Sequence, residues 1–132
     1  MSNDKVGKIE KEIGARIEPH EALTVDALAL YGFDISFLKP RNAYKTKTPD
    51  IAMAGLEWEI KSPTSSSKTT VRNIMLKGTK QSRHVIIDTI RTNLKDEEVM
   101  QELKKYIKQH KSIKKLIVVT KYRKMIVLKG RL

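Results

Sequence analysis

Two acidic residues and a lysine near the middle of the chain have the types and the spacing of a metal-dependent hydrolytic site. Asp50 follows Pro49, and Glu59 and Lys61 are the ends of a Glu-Ile-Lys triplet further along the chain. A few carboxylate oxygens suit Mg²⁺, which keeps several waters and also binds phosphate oxygens. A lysine beside such a site can stabilise charge on a phosphate or orient the attacking water. On an exposed strand the same residues would form only a surface ion pair, so their surroundings decide between the two interpretations.

Two neighbouring strands must bring these residues together. Alternation over residues 56–61 places Glu59 and Lys61 on one face of a strand and the apolar residues on the core face. The preceding strand begins at Asp50, and Gly55 supplies the tight turn between the two strands. The turn folds Asp50 back onto the end that carries Glu59 and Lys61. The local sequence therefore predicts that two carboxylates and an ammonium group converge.

The remaining elements form a regular succession around this hairpin. The patterns predict a buried helix over 20–32, a strand over 33–39, a helix over 71–81 interrupted or ended near Gly78, a strand over 84–88, a helix over 95–110, and two strands around a polar turn at 121–124. The order α-β-β-β-α-β-α-β-β is typical of an α/β domain with a mixed sheet flanked by helices and a carboxyl-terminal β-hairpin. Residues 1–17 are charged, with apolar residues in a loose helical spacing. They are predicted to be an arm or a marginal helix outside a domain spanning 18–132.

The net charge of +12 points to a polyanionic partner. The stretches 39–48, 62–84 and 103–132 contain lysine and arginine but no acidic residue. Nucleic acid is favoured over a membrane surface, because no basic amphipathic helix carries Trp or Phe on its apolar face. The apolar stretches are too short to span a bilayer, so no membrane span is expected. The absence of cysteine excludes disulfides and thiol catalysis.

Other catalytic and binding signatures are weak. His20, His84 and His110 share no metal-ligand spacing, and neither a P-loop nor a dinucleotide-binding glycine motif occurs. The aromatic fraction of 5% argues against a platform that stacks single-stranded bases, and Trp58 is assigned to the core.

The whole arrangement resembles the PD-(D/E)XK nuclease superfamily, whose core is α-β-β-β-α-β. The resemblance is carried, on two adjacent strands that follow one helix and precede a basic helix, by Pro49, Asp50, Glu59 and Lys61. It implies that Asp50 and Glu59 bind Mg²⁺ or Mn²⁺ together with the backbone carbonyl of Ile60. It also implies that Lys61 is catalytic.

Many members of that superfamily add an acid from the first helix. Glu21 matches that place, and the resemblance implies that it takes part in catalysis and in metal binding. Glu18 and Asp26 compete for this role. Glu21 also has a simpler interpretation, as an acid in the first turn of a helix that complements the helix dipole.

A narrower resemblance covers most of the chain after residue 18. The segments HEALT, YGFDI, KTPD, WEIKSPTSSSKTTVRN and KQSRHVIID are similar to the toxin nuclease domains at the carboxyl termini of contact-dependent growth inhibition proteins, several of which cleave tRNA. The resemblance implies an RNA substrate, tRNA first, a cytoplasmic site of action after delivery from another cell, and an acidic cognate immunity protein. The implied substrate contacts are Lys45, Lys47, Ser65, Lys68, Thr70, Arg72, Asn73, Lys77 and Gln81.

Two alternatives stay open. A DNA endonuclease of the same fold, of the restriction or junction-resolving type, would carry the same motif. A non-catalytic basic module that binds nucleic acid would be expected to lose Asp50, Glu59 or Lys61, and none is lost. The sequence also leaves open whether the chain is an excised toxin domain or a free-standing relative.

Overall fold

The structure is a computed structural model that describes residues 5–41 and 48–132. The elements in these ranges are, in chain order, β1 (Ile9–Lys11), α1 (Pro19–Leu30), β2 (Ile35–Phe37), β3 (Ile51–Met53), β4 (Leu56–Lys61), α2 (Lys68–Gln81), β5 (His84–Asp88), α3 (Asp96–Gln109), β6 (Lys115–Val119) and β7 (Met125–Lys129). In this part of the chain no helix is both long and apolar enough to cross a membrane.

The described strands form one mixed sheet whose spatial order follows the chain from β1 to β7. β1 pairs with β2 in parallel, and β2, β3 and β4 are antiparallel neighbours. β4, β5 and β6 are parallel, and β7 returns antiparallel to β6 as a carboxyl-terminal hairpin. From α1 to β7 the order is the predicted one, so the predicted α/β class with a mixed sheet is confirmed.

Helices cover both faces of the sheet. On one face α1 contributes Val25 and Leu28 to a buried cluster that includes Trp58, which confirms Trp58 as a core residue. On the other face Met75 of α2 and Leu103 of α3 belong to a second cluster. The central strands are therefore apolar on both sides, as buried parallel strands are.

The amino-terminal segment, predicted to be an arm or a marginal helix, contains a strand. Residues 9–11 form strand β1, which joins the edge of β2 through backbone hydrogen bonds: Ile35 N–H donates to the carbonyl of Lys8 (2.8 Å), and Glu12 N–H to that of Phe37 (2.9 Å). All three residues of β1 are exposed, and Ile13 is 94% exposed. The helical spacing of apolar residues is therefore not a buried face, and the alternative of a marginal helix is wrong here. Backbone pairing at a free strand edge holds the segment instead.

Helix α2 also differs from its predicted form. It begins at Lys68, and it continues through Gly78 to Gln81 instead of ending at the glycine. Gly78 is buried, and a Cβ added there would lie 3.7 Å from the side chains of Lys61 and Val85. The glycine therefore marks the close approach of α2 to the sheet, and tertiary packing outweighs its low helix propensity.

Candidate active site

The hairpin of β3 and β4 sets the geometry of the predicted motif. Ala54 and Gly55 have positive φ angles of 54° and 77°, as a two-residue turn that matches the twist of a hairpin requires. The register pairs Ile51 with Trp58. As a result Asp50 N–H donates to the Trp58 carbonyl (2.9 Å), and one oxygen of the Asp50 carboxylate accepts from Ile60 N–H (2.8 Å). The predicted approach of Asp50 to the far end of β4 is therefore confirmed.

Glu59 is more buried than a polar strand face would allow. It is 3% exposed, and one of its carboxylate oxygens is 3.2 Å from Lys61 Nζ. The other oxygen, Oε1, is buried and has no hydrogen-bond partner among the described residues. A buried carboxylate oxygen without a partner is unfavourable, and a bound cation would remove that penalty.

Helix α1 brings Glu21 to the same place. Glu21 lies in the first turn, where its side chain accepts a hydrogen bond from Glu18 N–H (3.3 Å), so it also has the helix-start role. Glu21 and Glu18 both line the cleft that contains Asp50, whereas Asp26 is exposed and lies outside that lining. Of these three acids, Glu21 is the one that is half-buried and whose pKa is affected by the charge of Asp50.

The carboxylates influence one another strongly. Burial first, and then the charge of Asp50, raise the pKa of Glu59 to about 7, although Lys61 acts in the opposite direction. Burial and the charge of Asp50 likewise raise the pKa of Glu21 to about 7. Asp50 is thus flanked by two carboxyl groups that ionise with difficulty, an arrangement that favours a bound cation.

The donor set suits a hard divalent ion with few protein ligands. Within residues 5–41 and 48–132, no three Asp, Glu, His or Cys side chains are arranged as a complete metal-ligand set. Mg²⁺ commonly uses only one or two carboxylates and fills its other positions with water and phosphate. Asp50 and Glu59 provide two carboxylates, with the orphaned Oε1 among their oxygens, and Ile60 lies in the same wall of the cleft.

The cleft has a volume of about 570 Å³ and contains all four side chains predicted to be catalytic. Polar residues that the sequence did not single out also line it, among them Arg16, Arg41, Ser62 and Arg91. His20, to which the sequence assigned no role, lines it too. Burial and the charge of Arg91 lower the pKa of His20. The sequence did contain one signal for Arg91, which lies in the loop after β5. Loops after the carboxyl ends of parallel strands commonly line sites in α/β proteins.

The ion pair of Asp88 and Arg123 helps to position α1 relative to the site. Asp88, at the end of β5, is fully buried and accepts a hydrogen bond from the hydroxyl of Thr24, which lies one helical turn after Glu21 (2.6 Å). Two guanidinium nitrogens of Arg123 donate to the same carboxylate at 3.0 and 2.7 Å. These contacts connect α1, β5 and the turn before β7, and so position Glu21.

Six of the nine predicted substrate contacts lie outside the lining of the cleft. Lys45 and Lys47 are outside the described residues, and Gln81 is the last residue of α2. None of Ser65, Lys68, Thr70, Arg72, Asn73 and Lys77 lines the cleft. Their role in binding stays a prediction.

Three of these residues have structural partners. Lys68 lies 3.8 Å from Glu98, and Arg72 lies 3.9 Å from Glu102, so both face acids of α3. The Ser65 carbonyl accepts a hydrogen bond from Thr92 (2.6 Å), and its hydroxyl accepts one from Ser67 N–H (3.0 Å). Ser65 therefore shapes the loop that leads from β4 to α2.

Comparisons with known proteins give one family match and one similar solved structure. The family model of the contact-dependent growth inhibition CdiA C-terminal domain matches residues 47–125. Among solved structures, one described as a CdiA-CT/CdiI toxin and immunity complex from Burkholderia pseudomallei has a similar fold, with a TM-score of 0.68 and 17% sequence identity. The alignment covers 94% of this chain and 100% of that one. No curated protein gives a significant match.

Proposed function

The chain belongs to the family of contact-dependent growth inhibition CdiA C-terminal domains, and from this premise we propose that it is a toxin domain that hydrolyses phosphodiester bonds of RNA with a divalent metal ion. The observation that carries the proposal is the convergence of Glu21, Asp50 and Glu59 beside Lys61 in a cleft with arginines in its wall. A bound cation would favour the ionised form of these crowded carboxyl groups. The arginine side chains in the wall would attract the phosphates of a substrate.

Each residue has a definite task in this proposal. Asp50, Glu59 and the backbone carbonyl of Ile60 would hold Mg²⁺ or Mn²⁺, and Glu21 would add negative charge from the wall of the same cleft. The bound ion would supply Lewis acidity and a more acidic water. The ammonium group of Lys61, held by Glu59 at 3.2 Å, stabilises the negative charge that develops on the phosphate oxygens. The hydrogen bond from Ile60 N–H keeps the Asp50 carboxylate aimed into the cleft.

The choice of RNA, with tRNA first, is based on the likeness to toxin nuclease domains described above. A DNA endonuclease of the same fold would use the same residues. A non-catalytic basic module would gain nothing from an acid as buried as Glu59, which makes the catalytic proposal the better supported one.

The proposed biology follows from the family. The similar solved structure is a complex of a toxin with its immunity protein. We propose a corresponding inhibitor here, acidic because the chain carries a net charge of +12. The domain would be delivered from another cell and would act in the cytoplasm of its target.

The decisive experiment incubates the protein with total RNA, purified tRNA, duplex plasmid and branched DNA, in Mg²⁺, in Mn²⁺ and in EDTA. Cleavage of RNA that requires a metal and is lost in Asp50→Asn and Lys61→Ala supports the proposal. Asp26→Asn is the matched control, because it removes an acid from the exposed side of α1 and leaves the cleft intact. If Asp50→Asn cleaves as fast as the parent, the proposed site is wrong. Cleavage of DNA alone would identify the DNA endonuclease.

A further inference from the structure

The loop between β5 and α3 carries an arginine that is anchored in the wall of the cleft. Arg91 Nε donates to the hydroxyl oxygen of Ser62 (3.1 Å), and its Nη2 donates to the carbonyl oxygen of Ser62 (2.7 Å). Ser62 directly follows Lys61 at the end of β4 and is 8% exposed. Two hydrogen bonds to one buried residue therefore fix the guanidinium group next to the catalytic lysine. Its third nitrogen, Nη1, has no hydrogen-bond partner in the described part of the chain.

The charge of Arg91 differs from those of Arg41 and Lys61, and its anchoring differs from that of Arg16, which lines the cleft but makes no side-chain hydrogen bond or ion pair with the described residues. Arg41 makes two hydrogen bonds to the Glu57 carboxylate, at 2.8 and 2.6 Å, and Lys61 is paired with Glu59. Both bonds from Arg91 go to uncharged oxygens, and no carboxylate of the described residues lies within ion-pair distance of it. The cleft thus contains a guanidinium held by two hydrogen bonds, and none of the described residues provides a counter-ion for its charge.

An anchored guanidinium without a counter-ion has the properties of a phosphate-binding group. Its planar fork matches two phosphate oxygens, and less side-chain entropy is lost on binding when the group is already held. A role limited to tying the loop to β4 would need only the two bonds to Ser62, and a neutral donor could make them.

We infer that Arg91, held by Ser62, binds the phosphate next to the scissile one in the substrate strand. A neighbouring phosphate is expected because Ser62, the anchor of Arg91, directly follows Lys61. The inference rests on the proposed function, since it assumes that Lys61 serves the scissile phosphate. Arg91 is then a binding residue that sets the register of the strand in the cleft.

The first test measures binding without cleavage. The Asp50→Asn protein is titrated in EDTA with a short single-stranded RNA at several salt concentrations. Adding Arg91→Ala is expected to weaken binding by about tenfold or more, as loss of a hydrogen bond to a charged group does. It should also reduce the slope of log K against log salt by about 0.7, the value for one phosphate contact on a single strand. The matched control is Arg83→Ala, which removes the same charge. Arg83 is exposed, lies just before β5 and does not line the cleft.

The second test locates the contact. Single methylphosphonate groups, which remove the charge of one phosphate, are placed in turn along the same RNA. One position is expected to weaken binding when Arg91 is present and to have no effect in Arg91→Ala. Arg91→Lys should keep the salt slope but not the full affinity, because lysine cannot make both bonds to Ser62 and also present a fork. Thermal unfolding of each variant shows that the fold is retained.

The outcomes separate this inference from the proposed function. RNA affinity and salt slope unchanged in Arg91→Ala, or methylphosphonate effects that are equal with and without Arg91 at every position, would overturn the inference even if the parent protein cleaves RNA. Failure of the parent to cleave any nucleic acid would refute the proposed function, whereas the binding measurements would still test Arg91.

Discussion

Replacing Glu59 with glutamine removes one charge from a buried group of carboxylates without changing the shape of the side chain. Glu59 is 3% exposed, and burial and the nearby charge of Asp50 raise its pKa to about 7. Lys61 compensates only part of this effect. We expect Glu59→Gln to stabilise the metal-free fold at alkaline pH while it abolishes cleavage.

The size of the effect follows from the pKa. In the unfolded chain Glu59 has the ordinary value of 4.5, and a rise to about 7 on folding corresponds to about 3 kcal/mol of lost stability once the group is ionised. Because the folded pKa is the higher one, the parent loses this stability as pH rises from about 4.5 to above 7. The gain in Glu59→Gln should therefore be small at about pH 5 and complete at about pH 8, where it should raise Tm by roughly 10 °C.

The assay is thermal unfolding followed by circular dichroism, in EDTA, at these two pH values. Glu57→Gln is the matched control on the same strand. Arg41 donates two hydrogen bonds to Glu57 and lowers the pKa of that carboxyl group, so the sign of the effect is reversed. Glu57→Gln should leave stability unchanged or reduce it by less than about 1 kcal/mol, because the ion pair is exposed.

Two results would refute the reasoning. If Glu59→Gln were less stable than the parent at about pH 8, the Glu59 charge would be favourable in the fold, and the cluster would not need a cation. If the difference were equal at both pH values, it would come from packing and not from ionisation.

The remaining predictions concern the metal, the packing of α2 and β1, and the buried ion pair. Mg²⁺ at a hundredfold excess over Kd should stabilise the parent by about 2.7 kcal/mol, which thermal unfolding would detect as a higher Tm. The Tm of Asp50→Asn should not change. Equal shifts in both proteins would place the ion elsewhere. Gly78→Ala should stabilise the fold by about 0.5–1 kcal/mol in urea unfolding, because the added Cβ makes ordinary contacts at 3.7 Å. Gly7→Ala should destabilise the fold, because its Cβ would lie 1.7 Å from the Phe33 carbonyl oxygen. Arg123→Ala should lower the free energy of unfolding by about 3 kcal/mol in the same assay, because the buried Asp88 carboxylate loses its ion pair. A loss below about 1 kcal/mol would contradict the stabilising role of this ion pair.

The order of the elements could be predicted from the sequence wherever a side-chain pattern reflects burial. The strands over His84–Asp88 and Lys115–Val119 and the helix over Asp96–Gln109 all match the predicted segments closely. Strand β1 could not be found in this way, because its three exposed residues bury no side chain and join the sheet through the backbone alone. The continuation of α2 through Gly78 was also hidden, since the packing that keeps this part of the chain helical is made with β4 and β5.

In the candidate site the sequence by itself determined that Asp50 lies opposite Glu59 and Lys61, because a two-residue turn fixes the register of residues only a few positions apart. Only the tertiary structure decided that Glu59 is buried and that Arg91 is anchored on Ser62. These features depend on elements distant in the chain that exclude water and bring side chains together. Desolvation and long-range contact are properties of the packed surroundings, and no local pattern of residues encodes them.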